Sequence, residues 1–298
     1  RTLGRTGLEV SRLGLGLSEL GYELTLDDVS QAGRVLNNAL ELGINFLDTA
    51  ACYNISEELI GATVANRRHE YYLATKAGHV AGDYVGEAWT KQTVLDSIDR
   101  SLVRMRTDHL DLVQLHSCGV EILERGDVIE ALQSAQQAGK TRFIGYSGDN
   151  DAALWAVKSG YFDTLQTSFN LADQKARYEL LPAAQAQGMG VIAKRPIANA
   201  VWRRAQTTSG YARQYWERTQ RMEVAGDLPH EPANPVVVAL GFTLAHEAID
   251  TAIVGTKNPD HLKANVDWLS SALPVPAEAV AELQRRFDEL GQAWPQLT

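Results

Sequence analysis

Asp48, Tyr53, Lys76 and His116 are the residues whose types, taken together, could move a proton under control. Each closes or closely follows a short apolar run: Asp48 ends "INFLD", Tyr53 stands five residues on, Lys76 ends "YYLATK", and His116 follows "LDLVQL". A phenol, with an ordinary pKa of about 10, is a reluctant acid at neutral pH. A nearby ammonium stabilises phenolate and lowers that value, and a carboxylate keeps a buried lysine charged and in place. An imidazole can orient the acceptor oxygen or relay the proton. The chemistry that needs this group is protonation of a carbonyl oxygen as a hydride arrives at its carbon. Desolvation alone pushes a phenol the other way, so the lysine must stand within a few ångströms of Tyr53. Taken singly, each has a structural role open to it: Asp48 as a helix cap or loop anchor, Tyr53 as packing, Lys76 as a solvated strand end, His116 as a satisfied loop histidine. Only their convergence gives them a shared purpose.

The elements that must produce that convergence are legible as an alternation. The runs "RLGLG", "INFLD", "YYLATK", "LDLVQL", "FIGYS", "DTLQTS", "GVIAK" and "TAIVG" each lead towards a helical pattern, over 25–41, 56–65, 91–105, 128–138, 151–159, 178–187, 235–247 and 259–270. In the third helix Val94, Ile98 and Leu102 recur at four-residue spacing. Ser56 is the expected N-cap of the second, ahead of Glu57 and Glu58. Eight consecutive strand–helix units without a break in composition predict an α/β fold, a closed (β/α)8 TIM barrel, over residues 1–298. "RTLGRTGLEVS" alternates like a β-hairpin around Arg5 to Gly7 that caps the barrel floor, and 276–291 reads as an extra C-terminal helix. One long loop insertion, 199–233 after strand 7, holds five arginines and little apolar periodicity, which suggests a functional lid or a disordered segment. In such a barrel the active site lies where the strands finish, so strands 2, 3 and 4 deliver all four reactive groups to one rim.

Bulk composition sets the surroundings. The chain has 298 residues, 45% hydrophobic and 22% charged, with a formal charge of −9. That is an ordinary globular composition of a size that buries a large core, and it supplies no basic stripe for nucleic acid. Two cysteines are too few for a disulfide framework, no apolar run reaches 18 residues, and the first residues lack the apolar core of an export signal. Together these predict a cytoplasmic protein without nucleic-acid or membrane partners, its oligomeric state open, and no metal site.

Six segments carry a family resemblance: "GINFLDTAACY", "ATKAG", "DLVQLH", "GYSG", "LQTSFN" and "IVGTKNPDHLKAN". In their order and spacing, over residues 1–270, the sequence resembles the aldo-keto reductases, its opening being similar to the bacterial and channel-subunit branches. The resemblance implies that Tyr53 is the general acid/base, that Lys76 lowers its pKa, that Asp48 pairs with Lys76 and that His116 positions the carbonyl. It implies that Ser147 and Gln166 hold the amide of a nicotinamide cofactor, and that backbone at Gly16, Leu17 and from Lys194 through Arg195 to Pro196 passes close to it. It further implies that Gly255, Thr256, Lys257, His261 and Asn265 grip the adenosine end. A helix starting at Pro259 beside Lys257 is a good anion site. That favours a 2′-phosphate and hence NADP, with NAD the second choice.

Four positions depart from the pattern. Gly148 stands where asparagine usually follows the strand-5 serine, Lys194 and Arg195 stand where an aromatic often stacks on the nicotinamide, Leu17 replaces a common threonine, and His261 replaces arginine or glutamine. If Lys194 faces the ring, reduced cofactor binds more tightly than oxidised cofactor by an unusual margin. Cys52 and Cys118 flank the same rim, and either stay as unconnected thiols or perturb turnover when oxidised. The leading functional reading is reversible, NADPH-dependent reduction of a small-molecule aldehyde or ketone, with Trp202, Tyr211, Trp216 and Trp294 as candidate substrate-pocket aromatics. The alternative is a cofactor-binding regulatory or redox-sensing subunit with low turnover. A third reading is a barrel lyase or epimerase that uses the cofactor transiently.

Overall fold

The computed structural model describes residues 1–207 and 209–297. Eight parallel strands, β1 (Leu13–Gly16), β2 (Phe46–Asp48), β3 (Tyr72–Ala77), β4 (Leu110–His116), β5 (Thr141–Ser147), β6 (Thr164–Ser168), β7 (Gly190–Lys194) and β8 (Thr251–Gly255), close in chain order, with β8 pairing back onto β1. The expected barrel is present, and strand ends differ from the sequence reading by no more than two residues at either end.

Strand alternation explains why the rim is reactive. Successive side chains face opposite sides of a strand. Outward residues such as Leu47, Leu73, Val113, Val191 and Val254 join the large core under the helices. Low in the barrel, Phe46, Ala74, Leu112, Ile192 and Ile253 fill the interior together with Leu3, Leu8 and Val10 from the N-terminal segment. Two residues further along the same faces stand Asp48, Lys76, Gln114 and Lys194. On β2, β3, β4 and β7 the interior therefore changes from apolar to polar or charged within one rung.

Three expectations need correction. The N-terminal segment does cap the floor, but as a single antiparallel bridge, Thr2 to Glu9, around a 3-10 turn at Gly4–Thr6 rather than as two strands. Ser56 is the first residue of the helix Ser56–Thr63, with Ile55 at the N-cap position. Its hydroxyl instead donates to Leu17 O at 3.1 Å and accepts from Thr49 Oγ1 at 2.7 Å, tying that helix to β1 and β2. The stretch 199–233 is not all loop. It contains the helix Arg213–Glu223, which buries Tyr215, Arg218, Thr219 and Met222. The final helix, Ala277–Leu290, holds this stretch down: buried Arg286 donates to Met222 O, Gly226 O and Asp227 O at 2.9–3.1 Å.

Candidate active site

Register brings the catalytic candidates to one level. Asp48 pairs with Gly16 and Ala74, Lys76 with Gln114, and His116 with Ser147. Lys76 Nζ donates to Asp48 Oδ2 at 2.6 Å and to Thr49 O at 2.8 Å. The other carboxylate oxygen accepts from Gln166 Nε2 at 2.7 Å and, more weakly, from Gln114 Nε2 at 3.5 Å. Ser147 Oγ donates to Gln166 Oε1 at 2.9 Å. A charge buried this deeply is tolerable only when paired and hydrogen-bonded, and here both partners are. Gln114 is a member of the group that sequence reading missed, although it stands two residues before His116 on the same face.

Tyr53 comes from the turn after β2, whose Tyr53 N–H donates to Ala50 O at 2.9 Å. The helix Ser18–Glu23 closes against that turn because Gly21 has no side chain: a Cβ there would lie 2.0 Å from Tyr53 O. Lys76 Nζ lies 4.9 Å from the Tyr53 ring centroid, meeting the sequence requirement for proximity. The pKa does not move as expected. Burial pushes Tyr53 well above its ordinary value, and the Asp48 charge pushes the same way. The lysine is matched by Asp48, so the pair presents little net charge to the phenol, which stays protonated.

His116 is boxed between two rings, Tyr53 at 5.5 Å and His79 at 5.2 Å, both nearly perpendicular to it. Burial, helped by its neighbours Lys76, His79 and Lys194, holds it down at about 2, so it is neutral. Cys52 Sγ lies 3.3 Å from His116 Nδ1, a contact with no signature in the sequence. Burial pushes the Cys52 thiol up, and the buried Cys118 up to about 12. Thiolate is the reactive form, so neither cysteine has the electrostatics of a redox-sensing thiol.

Across the rim, Gly148 has a steric reason for departing from asparagine: a Cβ there would lie 2.6 Å from the Tyr146 ring. The next residue, Asp149, is buried and pairs with Lys194 Nζ at 2.8 Å. Lys194 is therefore a paired cation rather than a free one. Asp149 also accepts from Thr167 Oγ1 at 2.9 Å and Ser168 N at 2.7 Å. The chain's last residues seal this wall: Gln296 Nε2 donates to Ser168 O at 2.9 Å and Thr167 Oγ1 at 3.0 Å, and Leu297 O accepts from Arg195 Nη1 at 2.8 Å. Arg195 stacks its guanidinium 4.9 Å from the Tyr211 ring at the edge of a cavity of about 340 Å³. The other proposed pocket aromatics serve packing. Trp202 is buried and donates to Glu231, Trp216 donates to Arg204 O, and Trp294 packs on Phe287 and beneath Arg218. Pro196 O accepts from Thr243 Oγ1 at 2.8 Å.

The adenosine-end candidates gather where β8 meets β1, with Gly255 paired to Gly16. Leu17, buried, donates its N–H to Asp48 O at 2.9 Å, which links this end to the ionic core. Thr256 and Asn265 are buried, His261 is exposed, and Asn258 caps the helix Pro259–Ser271. Lys257 is already paired with Glu23, and the Glu19 carboxyl, pushed up by burial, faces Lys257 and His261. A 2′-phosphate would therefore meet two carboxylates as well as a lysine.

The residues fit a nicotinamide dinucleotide. Ser147 Oγ, having donated to Gln166, keeps acceptor lone pairs, and Gln166 Oε1 keeps one, which complements the NH2 of a carboxamide. In the turn after β7 the buried Asn199 Nδ2 has no partner among the described residues, a donor suited to a phosphate oxygen. Ala198, Asn199 and Ala200 there hold φ of +48°, +53° and +56°, the sort of backbone cost found at ligand sites. Among the described residues no cluster of His, Cys, Asp or Glu could hold a metal, and no helix is long and apolar enough to cross a membrane.

Known proteins give the same picture. The sequence model of the aldo/keto reductase family matches residues 12–286. An uncharacterised oxidoreductase of Bacillus subtilis, YqkF, is 31% identical, the match covering 95% of each chain. L-galactose dehydrogenase of Arabidopsis thaliana is 27% identical over 99% of this chain and 96% of its own. The holo form of aldo-keto reductase AKR11C1 from Bacillus halodurans superposes with a TM-score of 0.81 at 28% identity, over 96% of this chain and 95% of that one.

Proposed function

The chain belongs to the aldo/keto reductase family of oxidoreductases, which use nicotinamide cofactors, and from that premise we propose that it interconverts an aldehyde or ketone with its alcohol, Tyr53 being the proton donor in the reducing direction. The observation that carries this reading is the buried Lys76–Asp48 pair at 2.6 Å with its ammonium 4.9 Å from the Tyr53 ring. When bound, the nicotinamide supplies the hydride. Tyr53 gives its proton to the carbonyl oxygen, and Lys76 stabilises the phenolate left behind. His116, neutral, donates a hydrogen bond to the same oxygen and fixes its direction. The closed side-chain network among Lys76, Asp48, Gln166 and Ser147 keeps the ammonium in place for that single step.

For the dinucleotide, the proposed form is NADP. Lys257 directly precedes the capped helix start, and its exposed pair with Glu23 is weak enough to exchange for a phosphate. The observation on the other side is the presence of both Glu19 and Glu23 there, which favours NAD.

The test is a fluorescence titration with NADPH beside NADH, followed by turnover on a carbonyl panel. Sugars belong in that panel because one relative is named as a galactose dehydrogenase. Tyr53→Phe is expected to bind cofactor like the parent and to lose turnover by roughly 10²–10⁴-fold. Parental turnover in Tyr53→Phe would refute the assignment of the proton donor, and no turnover by the parent on any carbonyl would favour a regulatory, cofactor-sensing subunit.

A further inference from the structure

Cys52 has no part in the steps above, yet it makes the one hydrogen-bond contact found for the His116 ring among the described residues, 3.3 Å from Sγ to Nδ1. The ring cannot turn freely: Tyr53 and His79 meet it edge-on at interplanar angles of 78° and 77°. The cysteine is anchored too, since Tyr22 Oη donates to Cys52 O at 3.0 Å and the neighbouring Tyr53 N–H donates to Ala50 O. A ring held this way keeps one freedom, the choice of which nitrogen bears its proton. A neutral imidazole donates from one nitrogen and accepts at the other, and the hydrogen bond made by one decides the role of the other.

We propose that Cys52 is a positioning residue: its S–H donates to His116 Nδ1, which fixes the proton on Nε2 and makes His116 a hydrogen-bond donor towards the carbonyl oxygen. In the opposite arrangement Nδ1–H donates to sulfur, an acceptor as weak as S–H is a donor, and a lone pair would turn towards that oxygen, which cannot then be held by a donated hydrogen bond. A thiolate–imidazolium pair is disfavoured by the surroundings, because burial raises the thiol and burial with the lysine charges depresses the histidine. Cys52 thus works as a proton-bearing thiol and not as a nucleophile.

The inference deepens the proposed function and rests on it for the donor's purpose, but the tautomer is a property of the protein that can be read without turnover. Nitrogen–proton NMR of histidine-labelled protein, with the His116 signals identified by their loss in His116→Gln, should show an acceptor Nδ1 and a protonated Nε2. Cys52→Ser should keep that pattern. Cys52→Ala, or Cys52→Val where Ala leaves a void, should move the two nitrogens towards a mixture. Since one hydrogen bond shifts a tautomer ratio by roughly two- to tenfold, kcat should fall by a similar factor, cofactor affinity should stay parental, and Ser should restore most of the loss. A proton on Nδ1 in the parent, or a parental pattern in both apolar variants, overturns the proposal. The expected pattern in a protein that reduces no carbonyl supports the tautomer and removes the reading of function.

Discussion

Two lysine–aspartate pairs face each other across the mouth of this barrel, Lys76 with Asp48 and Lys194 with Asp149. Both lysines are inward residues near strand ends, and the distances, 2.6 and 2.8 Å, are nearly the same. Their surroundings differ. Asp48 is held by amide side chains from inside the barrel, and its lysine lies against a tyrosine that makes no hydrogen bond to it. Asp149 is held by Thr167, the Ser168 backbone and Gln296 from the chain's last residues, and its lysine closes a wall. On the proposed reading, the same pair of residue types is a working group in one half of the rim and a fastening in the other. Charge and distance do not separate them; what else shares the carboxylate does.

Breaking each pair in turn is the strongest way to test that contrast. Lys76→Met leaves Asp48 buried without its cation, at a cost of about 3–5 kcal/mol, and removes the charge that, on the proposed reading, stabilises phenolate. Lys194→Met leaves Asp149 with a hydroxyl, a backbone N–H and an amide, so about 1–3 kcal/mol is expected, the scale of losing one charged hydrogen bond. Urea denaturation should rank the variants in that order, and carbonyl reduction should collapse only in Lys76→Met. Equal losses of turnover in the two would mean that both pairs serve the chemistry.

His116 senses both lysines, since each depresses its pKa, Lys76 more than Lys194. Its folded value of about 2 lies below its ordinary value of about 6.5. Between those values the unfolded chain takes up a proton that the folded chain refuses. The contribution to stability is therefore fully present above about pH 6.5 and is lost as pH falls, by up to about 1.4 kcal/mol per pH unit. His116→Asn should show a visibly flatter stability between pH 7 and 5 than the parent in denaturant titrations. A slope parallel to the parent's would place the histidine in a wetter, less charged setting and weaken the link between the two pairs.

These pairs also show where sequence reading stops. Asp48, Lys76 and His116 were legible because each interrupts or ends an apolar strand at a fixed parity, and a barrel turns parity into a shared direction. Gln114 obeys the same rule and was available to it. Ser147 and Gln166 were reached through family resemblance, not through their own pattern. Asp149 bonding Gln296 had no signal, because the partners are 147 residues apart and one lies in a tail without periodicity. The helix Arg213–Glu223 was missed because its buried face mixes Arg218 and Thr219 with Tyr215 and Met222, so no apolar stripe marks it. Arg218 can be buried because it donates to Pro295 O at 2.7 Å and Ala172 O at 3.3 Å, which only the folded chain brings together.

A third lysine–carboxylate pair, Lys257 with Glu23, sharpens the comparison at its weak end, because both side chains are about half exposed. An exposed pair contributes about 0–1 kcal/mol, so Glu23→Gln should leave stability nearly unchanged. Its effect should fall on ligand choice instead. Freed of its carboxylate, Lys257 is available to a 2′-phosphate, and one negative charge facing that phosphate is gone. NADPH should then bind roughly two- to fivefold more tightly, consistent with an exposed charge interaction, while NADH, lacking the phosphate, should change little. The gain should shrink in high salt, as screening requires of charges at the surface. If both dinucleotides tighten equally, Lys257 does not read the phosphate, and the choice between NADP and NAD must be made by other residues.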